Sequence, residues 1–295
     1  MPLISVLKRL LRPNATDDRH PRPASAIVST PAVPAASPAK SAPRKAEKVG
    51  TEYSEQYGVH LKKLKSELDE KAAFEEAVGG DFVTVGKVEL AALRKYGFNG
   101  TADVIDVGCG SGRLALQLAP LSDVSYLGTD VIPDLLDYAR KLVKRPDWQF
   151  MPTEGTTIPS ADNSADFITF FSVFTHISQE DCYRYLIEAK RVIRPGGKIL
   201  VSFLEFYIVS HWAAFEGSLK RRKAGDPMDL FIDRDAIRSW AHYSGLEVVE
   251  FVDGDKPLIE LNEEIRWANG QVQSGFVGLG QSLAVLTKKS PSTSA

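Results

Sequence analysis

Two acids and a run of alternate glycines set the chemistry open to this chain. Val104-Ile105-Asp106-Val107-Gly108-Cys109-Gly110-Ser111-Gly112-Arg113-Leu114 reads as an apolar strand, a sharp turn on glycines and the start of a buried helix. Bare backbone N–H groups and a helix start then lie beside any ligand over the strand end. Val124-Ser125-Tyr126-Leu127-Gly128-Thr129-Asp130 is a second strand ending in an acid, 20 residues after Gly110. A carboxylate there accepts two ribose hydroxyls at once; it reads also as the cap of a helix starting near Pro133. Candidates for proton transfer come later in the chain. His176 follows a fourth apolar strand, and Glu205 and His211 follow a fifth.

Spacing separates the ligand classes. In G-x-G-x-x-G the third glycine lets the helix pack close under a pyrophosphate, whereas this turn is G-x-G-x-G and Arg113 stands where that glycine would fall. An NAD-dependent oxidoreductase is disfavoured, although Asp130 alone serves either adenosine ligand. An acid followed by G-x-G-x-G resembles the first motif of the class I methyltransferases that use S-adenosylmethionine (SAM).

Further motifs continue the resemblance. Trp148 to Met151 reads as a third strand, followed by Thr153-Glu154-Gly155 and Ile158-Pro159. Asp162 to Asp166 leads into the continuous apolar strand Phe167-Ile168-Thr169-Phe170-Phe171-Ser172, and Pro195-Gly196-Gly197 turns a helix into a fifth strand. In order and spacing these resemble the type-11 small-molecule methyltransferases, the group that includes quinone-biosynthesis enzymes, over about residues 80–205. The resemblance implies an α/β fold: a Rossmann-like, seven-stranded, mostly parallel sheet with helices on both faces and the last strand antiparallel. It implies SAM as cofactor, with Asp106 toward the methionine ammonium and Gly108, Cys109, Gly110, Gly112, Asp130, Val131, Glu154, Gly155 and Phe171 around it. His176, His211 and Glu205 stand as candidate bases, His176 also as a residue that shapes the pocket. No metal is implied.

Methyl transfer is a direct displacement, favoured by alignment and exclusion of water, and needs a base only where the acceptor must lose a proton. The Asn/Asp-Pro-Pro-Phe/Tyr signature of nucleobase amino methylation is missing where the chain has Phe170-Phe171-Ser172-Val173. A small-molecule or lipid-linked acceptor is expected, a sugar hydroxyl or a quinone-like ring. The alternative is a SAM-binding or regulatory protein without turnover.

The elements that must position these groups follow from the rest of the chain. With 295 residues, 43% hydrophobic and 25% charged, there is material for one large α/β domain at about 98–288 with additions. Residues 1–50 hold eight of the 17 prolines and nine Lys and Arg against three Asp and Glu. They read as a disordered basic tail, net +6, and leave −8 to an acidic body unsuited to a nucleic-acid duplex. Leu3, Val6, Leu7, Leu10 and Leu11 with interspersed cations make a short amphipathic start, either a frayed terminus or a weak membrane-surface foot at residues 3–12. The two cysteines, Cys109 and Cys182, suit a reducing cytoplasm, peripheral to the membrane if that foot is used.

Residues 51–97 read as helices over about 53–76 and 85–96, covering the pocket with Tyr53 and Tyr57 as lining candidates. The aromatic stretch from Glu205 to Phe215 suggests a lid at about 205–231, running into Lys220-Arg221-Arg222-Lys223, which reads as a solvated helix end or an anion contact. Asn269-Gly270 between extended residues predicts a hairpin, Leu246–Val252 and Gln281–Thr287 complete the sheet, and 289–295 is a polar tail.

Overall fold

The computed structural model describes residues 51–221 and 229–289. The basic tail with its amphipathic start, the cations beyond Arg221 and the last residues lie outside the described residues. Three helices come first: α1 (Thr51–Glu67), α2 (Glu70–Ala77) and α3 (Phe82–Lys95). The sequence predicts one helix over 53–76, and the chain instead breaks at Leu68, because Asp69 caps a new helix by accepting from the Ala72 N–H at 2.9 Å.

The core alternates strand and helix: β1 (Ala102–Val107), α4 (Arg113–Leu118), β2 (Val124–Asp130), α5 (Pro133–Val143), β3 (Gln149–Pro152), β4 (Ala165–Phe170), α6 (Gln179–Val192) and β5 (Ile193–Phe203). After α7 (Val209–Arg221) and α8 (Arg234–Ser244) come β6 (Leu246–Val252), four two-residue strands β7 (Ile259–Glu260), β8 (Ile265–Arg266), β9 (Val272–Gln273) and β10 (Phe276–Val277), and finally β11 (Ser282–Lys288). The main sheet has seven strands in the order β3-β2-β1-β4-β5-β11-β6, with β11 antiparallel to both neighbours and the other pairings parallel. This is the sheet the sequence predicts, its last strand slotted between the fifth and the sixth.

Order reverses between β1 and β4, so the carboxyl ends of those strands open a crevice, the place where open α/β sheets bind ligands. Apolar side chains on both faces fix the sheet; Val104, Ile105, Ile168, Phe170, Leu200 and Val201 are all buried. On one side α1 and α2 close over α5 through Leu61, Leu64, Phe74, Ile132 and Leu135. Gly86 lets α3 lie on α4: a Cβ there would meet the Arg113 carbonyl at 2.7 Å.

The hairpin at Asn269-Gly270 forms between β8 and β9 and packs on α3. Thr84 Oγ1 donates to the Arg266 carbonyl at 2.7 Å, and Asp81 accepts from the Ala268 N–H at 2.5 Å. Among the described residues no helix is long and apolar enough to cross a membrane, and no group of His, Cys, Asp or Glu is set to hold a metal.

Candidate functional site

The crevice is an open cavity between the carboxyl ends of β1, β2 and β4 and the helices α1 to α3. Its floor is the glycine turn. Gly108, Gly110 and Gly112 have φ of 69°, 55° and 90°, a region that glycine enters without the Cβ penalty. Close neighbours demand the same residue: a Cβ on Gly108 would lie 2.5 Å from Val173 Cγ2, and one on Gly110 would lie 2.5 Å from Val78 Cγ1. Ser111 Oγ donates to the Phe74 carbonyl at 2.8 Å, which ties α2 to the turn.

Strand register places the two acids. Asp106 pairs with Gly128 on β2 and Thr169 on β4, so Asp130 ends the neighbouring strand two residues further on. Thr169 Oγ1 donates to Asp106 Oδ1 at 2.7 Å and Tyr126 Oη to Oδ2 at 2.9 Å, fixing the carboxylate while each oxygen keeps a second lone pair. Burial pushes the Asp106 carboxyl up to about 7, with the two hydroxyl donors pulling against it and Glu89 adding to it. Asp130 Oδ2 accepts from the Gly110 N–H at 3.0 Å and Oδ1 from the Ile132 N–H at 2.9 Å. Burial also raises Asp130, to about 6, against those backbone donors.

Aromatic groups close the cavity from α1 and from the loop after β4. The His176 ring stacks on Tyr53 with centroids 5.8 Å apart and meets Tyr57 edge-on at 6.3 Å. Tyr57 Oη donates to the Ala77 carbonyl, and Tyr185 Oη to the Gly155 carbonyl at 3.1 Å, so both rings are pinned. Ser172 sits at the β4 end with φ 60°, uncommon for a residue with a side chain; Ser202 Oγ accepts its N–H at 2.7 Å.

The cavity brings together Asp106, Gly108, Cys109, Gly110, Asp130, Val131, Gly155, Phe171 and His176 from the sequence expectations. Four others lie elsewhere. Gly112 turns away, and its missing Cβ lets Ala139 of α5 approach, since an added Cβ would meet the Ala139 Cβ at 2.9 Å. Glu154 is exposed beyond the lining.

His211 is fully buried away from the cavity. It accepts the Glu205 N–H at Nδ1, 3.1 Å, so the proton of the neutral ring is on Nε2, which donates to the Gly280 carbonyl at 3.1 Å. Burial lowers its pKa, consistent with a neutral pin between two loops. Glu205 is buried too, in a bidentate pair with Arg234. Neither serves as a base here. Of the segment 205–231 read as a lid, only Asp229 among the described residues lines the cavity. Phe206, Trp212, Phe215 and Phe231 stack on one another instead. Lining residues not foreseen include Val78, Glu89, Arg113 and Asp181.

Residues 105–201 match the family model described as a methyltransferase domain. Over this stretch the chain is similar to the class I SAM-dependent methyltransferases of the type-11 group, the family its motifs resemble. Over 123 residues the chain is 34% identical to the ubiquinone/menaquinone biosynthesis C-methyltransferase UbiE of Geobacter sp. (strain M21), covering 39% of this chain and 50% of that protein. It is 25% identical to the 27-O-demethylrifamycin SV methyltransferase of Amycolatopsis mediterranei, covering 49% and 53%. The chain thus spans about half the length of these curated relatives. The mitomycin 7-O-methyltransferase MmcR shares the fold, with a TM-score of 0.51 at 19% identity over 78% of this chain and 61% of that one.

The donor set fits SAM. The partly buried carboxylate at Asp130 has open lone pairs that could accept vicinal hydroxyls, Val131 and Leu135 are apolar lining residues, and the buried Asp106 carboxylate would suit a cationic group. The raised carboxyls make this binding proton-linked. A cationic ligand favours the ionised acids, so SAM affinity should rise with pH from about 5.5 to 7.5 and then level, changing by up to about tenfold per unit per group below its pKa. Calorimetry in buffers of different ionisation enthalpy should show proton release near neutral pH; pH-independent affinity across this window would contradict it. In the free protein the sign reverses: ionising these acids destabilises the fold as pH rises from the ordinary carboxylate range through about 7.

Proposed function

We propose that this chain transfers a methyl group from SAM to a small-molecule acceptor carrying a planar, hydroxylated or quinone-like ring. One observation carries the reading: Asp106 and Asp130 lie at the carboxyl ends of adjacent strands on either side of a glycine turn, inside one cavity roofed by aromatic rings.

Bound SAM supplies an electrophilic methyl on a sulfonium sulfur, and the protein's task is alignment and exclusion of water. Asp130 holds the cofactor's ribose and Asp106 its ammonium while the glycine turn keeps the backbone clear of it. Tyr53, Tyr57, Tyr185 and Phe171 make the remaining lining flat and aromatic, which suits a ring stacked in place better than a sugar. His176, at the β4 end among these rings, is the group we assign to take the proton from an acceptor hydroxyl as the oxygen attacks.

Methyl-labelled SAM incubated with hydroquinones, catechols and free sugars tests this directly. Label should enter the phenolic rings, and its absence from all of them alongside tight SAM binding would refute the acceptor class. His176→Ala should lower kcat by about 10²-fold or more, the usual scale of general-base catalysis, and leave the SAM dissociation constant within about twofold. Equal losses in both would make His176 a shaping residue.

A further inference from the structure

Helix α7 turns the wrong side chains to water. Its inner face is sealed by the buried His211 and Ala214, and its outer face carries Val209, Trp212, Glu216 and Leu219 at steps of three and four residues. A helix packed on one side against a core presents polar groups at such positions. Here Val209, Trp212 and Leu219 are 42%, 47% and 54% exposed, and Phe206, just before the helix, is 43% exposed.

The patch is propped from below. Phe206 stacks on Phe231 with centroids 4.8 Å apart, and Trp212 leans on Phe215 at 5.1 Å. The Trp212 indole N–H donates to Glu216 at 3.1 Å, which engages the one acid of this face. Single exposed apolar residues need no explanation, whereas a contiguous, supported cluster of them marks a surface with a partner.

Charge selects the partner. The apolar stripe runs into cations: α7 closes on Lys220 and Arg221, and Arg222 and Lys223 follow in sequence. The chain beyond residue 50 is otherwise acidic, −2 for the whole less +6 for residues 1–50, or −8. Such a body approaches an anionic surface only by its local basic element. Aromatic and aliphatic groups on one helix face beside Lys and Arg form the pattern of a helix lying in a lipid interface, and residues 3–12 repeat it in the sequence.

The patch also borders the cavity. Phe231, beneath it, is two residues from Asp229 in the cavity lining, and the Leu230 N–H donates to the Thr175 carbonyl at 2.7 Å, next to His176.

We propose that the outer face of α7, with Phe206, docks on an anionic lipid bilayer, the apolar side chains entering the interface and the cations that end the helix supplying the attraction. The docking stands apart from the methyl-transfer reading. Joined to it, the docking sets the cavity mouth beside the bilayer, where a membrane-dissolved acceptor would be met.

Flotation of the full chain with vesicles tests this. Vesicles of phosphatidylserine and phosphatidylcholine in equal parts should bind it at least about tenfold more tightly than phosphatidylcholine alone, a preference that fades as salt rises. Residues 3–12 could produce that preference unaided, so the α7 variants decide. Lys220→Glu with Arg221→Glu should weaken binding to the mixed vesicles by about 10- to 30-fold, and Trp212→Ser with Leu219→Ser by about tenfold. Leu219→Ser alone, at the most exposed of these positions, should weaken it in the same direction and serves if the pair does not fold.

Mixed-vesicle binding within about twofold of wild type in either folded double variant would overturn the proposal, as would wild type that floats with neither vesicle. A Trp212→Ser, Leu219→Ser variant that splits a dimer in sedimentation velocity while keeping its vesicle binding would give the face to a second copy instead. Calorimetry with SAM reads the other claim separately: vesicle binding without SAM binding would keep the docking and remove the methyl-transfer reading.

Discussion

Replacing Arg234 by methionine lowers the stability of the fold by about 3–5 kcal/mol, the penalty for leaving a buried carboxylate without its cation. Arg234 Nε lies 3.0 Å from each Glu205 oxygen, and Nη2 lies 2.5 Å from Oε1. Asp253 accepts from the same Nη2, Ser282 Oγ donates to Glu205 Oε1 at 2.6 Å, and the guanidinium lies 5.3 Å from the Phe251 ring centroid. Glu205 is 2% exposed and cannot turn to water when Arg234 is removed. The network joins the end of β5, the start of α8, the end of β6 and the start of β11, so its loss loosens the half of the sheet that bears β11. For a domain of this size the midpoint of thermal unfolding should fall by about 2–4 °C per kcal/mol. Replacing Glu205 and Arg234 together by methionine should recover most of the loss, because the uncompensated charge goes with its partner. A single Arg234→Met variant within about 1 kcal/mol of wild type would show that Glu205 reaches solvent at little cost.

That network also explains where sequence reading stops. The strand-turn-helix at Asp106 to Leu118 and the acid at Asp130 are local patterns: each needs only its own neighbours to take its shape, and the β1–β2 register then sets them side by side. Glu205 and His211 look like catalytic groups at a strand end for the same local reason. Their partners Arg234, Ser282 and Gly280 arrive from 29 to 77 residues further along, and no periodicity reports such a meeting. Gly112 fails differently, since a glycine required by helix packing and one required by a ligand are written alike. Arg113 was legible as a residue that disfavours a dinucleotide. Its orientation became visible only with Glu89 and Val78 in place.

Asp130→Ala should weaken SAM binding by about 100-fold and leave the fold intact. A carboxylate that accepts both ribose hydroxyls makes two charge-assisted hydrogen bonds, each worth about 1.5–3 kcal/mol when the competing water is excluded. Part of that gain is recovered by water in the variant, which brings the expected loss down to about two decades in the dissociation constant. The fold tolerates the change because the carboxyl is itself disfavoured by burial, so removing it relieves a desolvation penalty while the Gly110 and Ile132 N–H groups turn to water at the cavity wall. Asp130→Asn separates the contributions: its amide oxygen still accepts from the turn and from one hydroxyl, so its loss should fall between wild type and alanine. Calorimetry beside circular dichroism decides the outcome. Unchanged affinity in a folded Asp130→Ala protein would confine Asp130 to bracing the turn through the Gly110 N–H and the entry to α5 through the Ile132 N–H. A graded loss from aspartate through asparagine to alanine would place the ribose on Asp130 and, with Asp106 one strand away, fix the direction in which SAM lies across the sheet.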